Sequence, residues 1–101
     1  MYYKKLVRDK IPEILDEKGI KYGMYISDNT EFRSELITKL KEEVDEFMSD
    51  QNNEELADII EVIEAIKTLP EFCNVEEIRL KKKEEKGSFE KRIIAEGDDG
   101  K

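Results

Sequence analysis

The stretches Glu42-Glu43-Val44-Asp45-Glu46 and Glu55-Leu56-Ala57-Asp58, separated by Ser49-Asp50-Gln51-Asn52-Asn53, decide how this chain folds. Projected at about 100° per residue, the sequence around each cluster reads as an amphipathic helix. In the first, Phe32, Leu36, Leu40, Val44, Phe47 and Met48 form one apolar arc, with Glu43 inside it and Glu46 at its edge. In the second, Leu56, Ile59, Ile60, Val62, Ile63 and Ile66 form the arc, with Glu55 inside it and Asp58 at its edge. Each helix thus carries one carboxylate on its core-facing side and a second three residues later.

A carboxylate in an apolar seam must be paired, protonated or bound to a cation, because buried unpaired charge is strongly unfavourable. Four of them converging from adjacent helices would also repel one another. A hard divalent cation relieves both penalties, and Mg²⁺, with Mn²⁺ as a substitute, takes oxygen ligands that it shares with substrate phosphates. The opposing reading is an ordinary charged face, solvated or paired with Lys39, Lys41 or Lys67. One acidic pair would fit that reading. Two pairs at matched positions on consecutive helices favour the metal.

With 101 residues the chain is read as one domain, 1–101, with Gly97 to Lys101 as a frayed tail. A formal charge of −8, from 26 acidic and 18 basic residues, opposes binding to nucleic acid or anionic membranes. The absence of histidine excludes a Ser-His-Asp triad, His-ligated zinc and the Glu-x-x-His pattern of di-iron bundles. Cys73 has no partner for an internal disulfide and no His to activate it, so it is read as a structural thiol. No apolar signal core or membrane-spanning run is visible, and a cytoplasmic location is expected. A Gly-x-x-x-x-Gly-Lys loop is also missing, which rules out a P-loop enzyme.

The remaining elements follow from caps and breakers. Asp9 is expected to cap a short helix containing Pro12 and stopped by Gly19. Ile20 to Ile26 alternates enough to suggest a short strand. The two central helices are expected from Thr30 to Ser49 and from a cap at Asn53 to about Leu69, before Pro70. Asn74 and Glu77 suggest a capping box opening a charged helix that ends at Gly87. Phe89 to Ala95 is expected as a strand pairing with Met24-Tyr25-Ile26. The fold class is therefore all-α, an antiparallel helical hairpin or bundle with at most a small β ribbon. Such wide apolar stripes predict self-association into a dimer or tetramer, against a monomer whose terminal helices cover the hairpin.

Glu42-Glu43-x-x-Glu46 followed by Glu55-x-x-Asp58 resembles the signature of the MazG-like, all-α nucleoside triphosphate pyrophosphohydrolases. Lys5-Leu6-Val7-Arg8-Asp9-Lys10-Ile11-Pro12 and Gly87-Ser88-Phe89-Glu90-Lys91-Arg92 resemble the ends of the branch labelled phosphoribosyl-ATP pyrophosphohydrolase-like. The resemblance implies Mg²⁺ held by Glu43, Glu46, Glu55 and Asp58, with Glu42 supporting them from outside the apolar arc. Among the basic residues flanking the acidic helices, Lys91 and Arg92 are candidates to hold substrate phosphates, and the resemblance raises Arg8 and Lys10 for the same role. By itself a Lys-rich helix such as Leu80 to Lys86 reads as a solvated face.

The implied reaction hydrolyses a nucleoside triphosphate between its α and β phosphates, giving a monophosphate and pyrophosphate. Glu46 is the candidate to take a proton from the attacking water. The spacer between Glu46 and Glu55 is shorter than in most of the family, which leaves little wall for a nucleobase near the hairpin turn. Two other readings stand beside this one. The first is the same chemistry specialised for phosphoribosyl-ATP. The second is a non-catalytic helical oligomer that binds nucleotides or a protein partner.

Overall fold

Pro12 lacks an N–H that a first helical turn does not need, and it opens α1 (Ile11–Glu17). The structure, a computed structural model, describes residues 3–98. Gly19 takes φ +68° after α1, and the amides of Gly19 and Ile20 donate to the carbonyls of Asp16 and Leu15. That pair of bonds is a Schellman closure, which glycine favours at this position. Asp9 does not cap α1. A turn closed by the Ile11 amide on the Arg8 carbonyl leads in instead, and Lys10 stands at the cap without a side-chain bond.

Asp28 caps α2 (Asn29–Ser49), its carboxylate accepting from the Glu31 amide at 2.8 Å. Asp50-Gln51-Asn52 then links directly to α3 (Asn53–Lys67), where Asn52, and not the expected Asn53, is the cap: its side chain accepts from the Glu55 amide at 2.9 Å, and Asn53 is already helical. Leu69 is extended, as the residue before Pro70 must be, and Pro70–Phe72 forms a 3₁₀ turn. Helix α4 (Val75–Lys86) ends at Gly87, with φ +85°. The expected capping box there does not form. Asn74 leaves the 3₁₀ turn at φ −99°, ψ 9°, outside the extended region a cap requires, and makes no cap bond.

Among the described residues no strand occurs, so the all-α class holds and the β ribbon does not. Alternation in residues 20–26 and 89–95 is not enough without a ladder partner and a packed face. Phe89 is 97% exposed, and Ile93, Ile94 and Ile26 are also open to solvent. The expected tail at 97–101 falls partly on residues 99–101, outside the described residues. Cys73, read as a structural thiol, is exposed, while its neighbour Phe72 packs on the core.

The core lies where the early part of α2 meets the late part of α3. Leu36 (2% exposed), Val62 and Leu69 are buried, with Leu6, Phe32, Leu40, Ala65, Ile66 and Phe72 against them. Val44, Met48, Leu56, Ile60 and Ile63 stay exposed although they belong to the apolar arcs. The radius of gyration is 18.5 Å, against about 13 Å for a compact chain of this length. No helix among the described residues is long and apolar enough to cross a membrane.

Candidate metal centre

The three-residue link between α2 and α3 brings the last turns of one helix beside the first turns of the other. The Asn52 cap fixes the Glu55 amide, so Glu55 and Asp58 project from the opening of α3 in a set orientation. The helix N-terminus also favours negative charge at these positions. Glu43, Glu55 and Asp58 each bring one carboxylate oxygen within 4.8 Å of the others. Glu43 is only 7% exposed. Its Oε2, and the Oε2 of Glu55, are buried without a hydrogen-bond partner.

Burial is the largest influence on Glu43, and it raises the carboxyl pKa above the usual range. The nearby charges of Glu46 and Asp58 push it the same way, and Lys39 opposes them. Lys39 Nζ lies 3.4 Å from Glu43 Oε1 and 3.8 Å from Glu42. Arg8 Nη2 donates to Asp58 Oδ1 at 2.7 Å. Two cations therefore reach the cluster, and each engages an oxygen other than the two orphaned ones.

Of the three lysines in the charged-face reading, Lys39 reaches the cluster. Lys41 pairs with Asp45 at 2.9 Å, and Lys67 pairs with Glu64 and Glu76. Glu46 is exposed and stands outside the three-carboxylate group, near enough for its charge to act on Glu43. Glu42 is exposed and shares Lys39. Lys10 is exposed at the start of α1. Lys91 and Arg92 lie exposed beyond α4, and among the described residues no side-chain bond ties them to the cluster.

The donor set is three hard carboxylate oxygens, two of them from residues with an unsatisfied buried atom, and it contains no sulfur or imidazole. Such a set fits Mg²⁺ or Mn²⁺ rather than a soft metal.

A cavity of about 860 Å³ lies between residues 3–12, residues 21–27 and the start of α2. Tyr3, Tyr22, Tyr25 and Phe32 are among its walls. The available signal was positional, since all four tyrosines of the chain fall within its first 25 residues. Glu35, on the cavity wall, is followed at four-residue steps by Lys39 and Glu43, so cavity and cluster share one flank of α2. Compared with known proteins, the chain matches no family model, no curated protein and no solved structure.

Proposed function

We propose that the chain is a Mg²⁺-dependent nucleoside triphosphate pyrophosphohydrolase of the MazG-like, all-α kind. The observation that carries this reading is the pair of buried, unpartnered carboxylate oxygens on Glu43 and Glu55, contributed by two different helices. An apolar seam holding such atoms is unfavourable unless something cationic takes them. Glu43, Glu55 and Asp58 would hold the ion, with Glu46 beside them. The ion would supply charge neutralisation for phosphate oxygens and a lowered pKa for water.

The chain's own groups do the rest. Arg8 and Lys39 are the cations nearest the carboxylates. They would bind phosphate oxygens through charge-assisted hydrogen bonds and orient the α–β linkage. Glu46, exposed and next to the cluster, would accept the proton of the attacking water. One water is consumed, and a nucleoside monophosphate and pyrophosphate leave.

The working form is a homo-oligomer of antiparallel hairpins. The exposed apolar residues of α2 and α3 and the extended dimensions support it, since one copy buries few of its own apolar side chains.

The test is a panel of nucleoside triphosphates with and without Mg²⁺, read as pyrophosphate release. Turnover by the native protein should require the ion and be lost in Glu55→Gln and Asp58→Asn. A folded protein that turns over no member of the panel, phosphoribosyl-ATP included, refutes the reading. Nucleotide binding without turnover would instead support the non-catalytic oligomer.

A further inference from the structure

We infer that the cavity beside the start of α2 is the seat of the nucleoside half of the nucleotide, the phosphates lying at the carboxylate cluster. This rests on the nucleotide reading above and adds where the base and sugar go. The volume, about 860 Å³, falls within the range of small-molecule sites.

Its walls suit a flat heteroaromatic ring. Tyr22 and Tyr25 are oriented by their own hydroxyls, which donate to Asp16 at 2.9 Å and to Glu31 at 2.5 Å. Lys4 Nζ lies 5.2 Å from the centre of the Tyr25 ring. Aromatic faces held in place this way stack on any nucleobase, because every base presents a π-face.

Charge assigns the two halves of the ligand to different places. The three lysines on the cavity wall, Lys4, Lys5 and Lys21, are balanced by Asp9, Glu31 and Glu35. A cavity so balanced suits an uncharged nucleoside with hydrogen-bonding edges better than a polyphosphate. The polyanion belongs instead with Arg8, Lys39 and the ion.

Continuity along the chain joins the two. Val7 and Asp9, the neighbours of Arg8, line the cavity, while Arg8 itself holds Asp58. On α2, Glu35 and Glu43 are eight residues apart on one flank, a rise of about 12 Å. The cavity lies at the start of α2, the end away from the α2–α3 link.

The experiment titrates the isotope-labelled full chain, with Mg²⁺ present, with each of the four common nucleoside monophosphates and separately with inorganic pyrophosphate. At least one monophosphate should shift the backbone resonances of Tyr22 to Ile26 and of Phe32. Tyr25→Ala should weaken its binding by about tenfold, on the scale of one lost stacking ring, and Tyr25→Phe, which keeps the ring but not its bond to Glu31, should weaken it less. Pyrophosphate binding should not change in Tyr25→Ala.

Unmoved resonances with every monophosphate overturn the proposal, as does equal weakening of monophosphate and pyrophosphate. Pyrophosphate release from triphosphates is scored separately. Turnover with unmoved cavity resonances rejects the cavity and keeps the hydrolase, whereas moved resonances without turnover keep the nucleoside seat and reject the hydrolase.

Discussion

Arg8 and Asp58, fifty residues apart in the chain, meet through a 2.7 Å bond from guanidinium to carboxylate. On the proposed reading Asp58 is also a metal ligand, so Arg8 would compete with the ion for it. Replacing it by Gln should tighten Mg²⁺ binding by about two- to fivefold, the worth of a half-exposed ion pair. In turnover the same change should lower kcat/KM by at least about tenfold, because a phosphate ligand is lost. Calorimetric titration with Mg²⁺ and steady-state kinetics measure the two effects, which should have opposite signs.

Glu43→Gln removes a buried charge that lacks a full set of partners. Without metal, the variant should be more stable than the native chain by about 1 kcal/mol. With Mg²⁺, the native protein should gain in melting temperature and the variant should not. Thermal melts of both proteins with and without the ion decide this.

The raised pKa of Glu43 gives a pH dependence of defined sign. In the fold this carboxyl keeps its proton to a higher pH than it does in the unfolded chain, because burial disfavours the charge. Through that window the native state binds the extra proton, so the Glu43 contribution to stability falls as pH rises. Subtracting melts of Glu43→Gln from those of the native chain, without metal, should isolate this decline. With Mg²⁺ the trend should reverse, since ion and proton compete for the same oxygens.

Leu36→Ala tests the core. The side chain is 2% exposed between Val62, Leu69 and their neighbours, and its truncation should cost about 2–5 kcal/mol by denaturant unfolding. Val44→Ala, on the half-exposed part of the same arc, should cost markedly less if one copy is all that packs there.

The exposed part of the arcs supplies the companion test. Ile60→Glu places a charge beside Leu56 and Ile63, its neighbours along α3, which are exposed in one copy. If hairpins pack together, the substitution should shift sedimentation from oligomer to monomer. A native chain that sediments as a monomer removes the self-association.

Apolar spacing was enough to locate α2 and α3 to within two residues and to put Glu43 on the buried side. Periodicity reports a helix face directly, and both helices are long enough to average out local noise. The strands suggested at 20–26 and 89–95 failed because alternation describes a segment and not its partner. The caps at Asp9 and Asn74 failed because a cap depends on the backbone angles by which the chain arrives, which residue type does not reveal. The Arg8–Asp58 bond and the tyrosine-lined cavity depend on how residues 3–27 fold back, and no local pattern encodes that path.

Helix α2 acts as a ruler. Glu35, Lys39 and Glu43 mark it off at one-turn intervals, and a hydrogen-bonded helix neither stretches nor shortens. One residue inserted between Glu35 and Glu43 would swing one mark around the axis by about 100° and put the two ends of the gauge on different sides. The segments at 3–10 and 21–27 are not helical and carry no such gauge, so a change of length there leaves the graduated rod untouched.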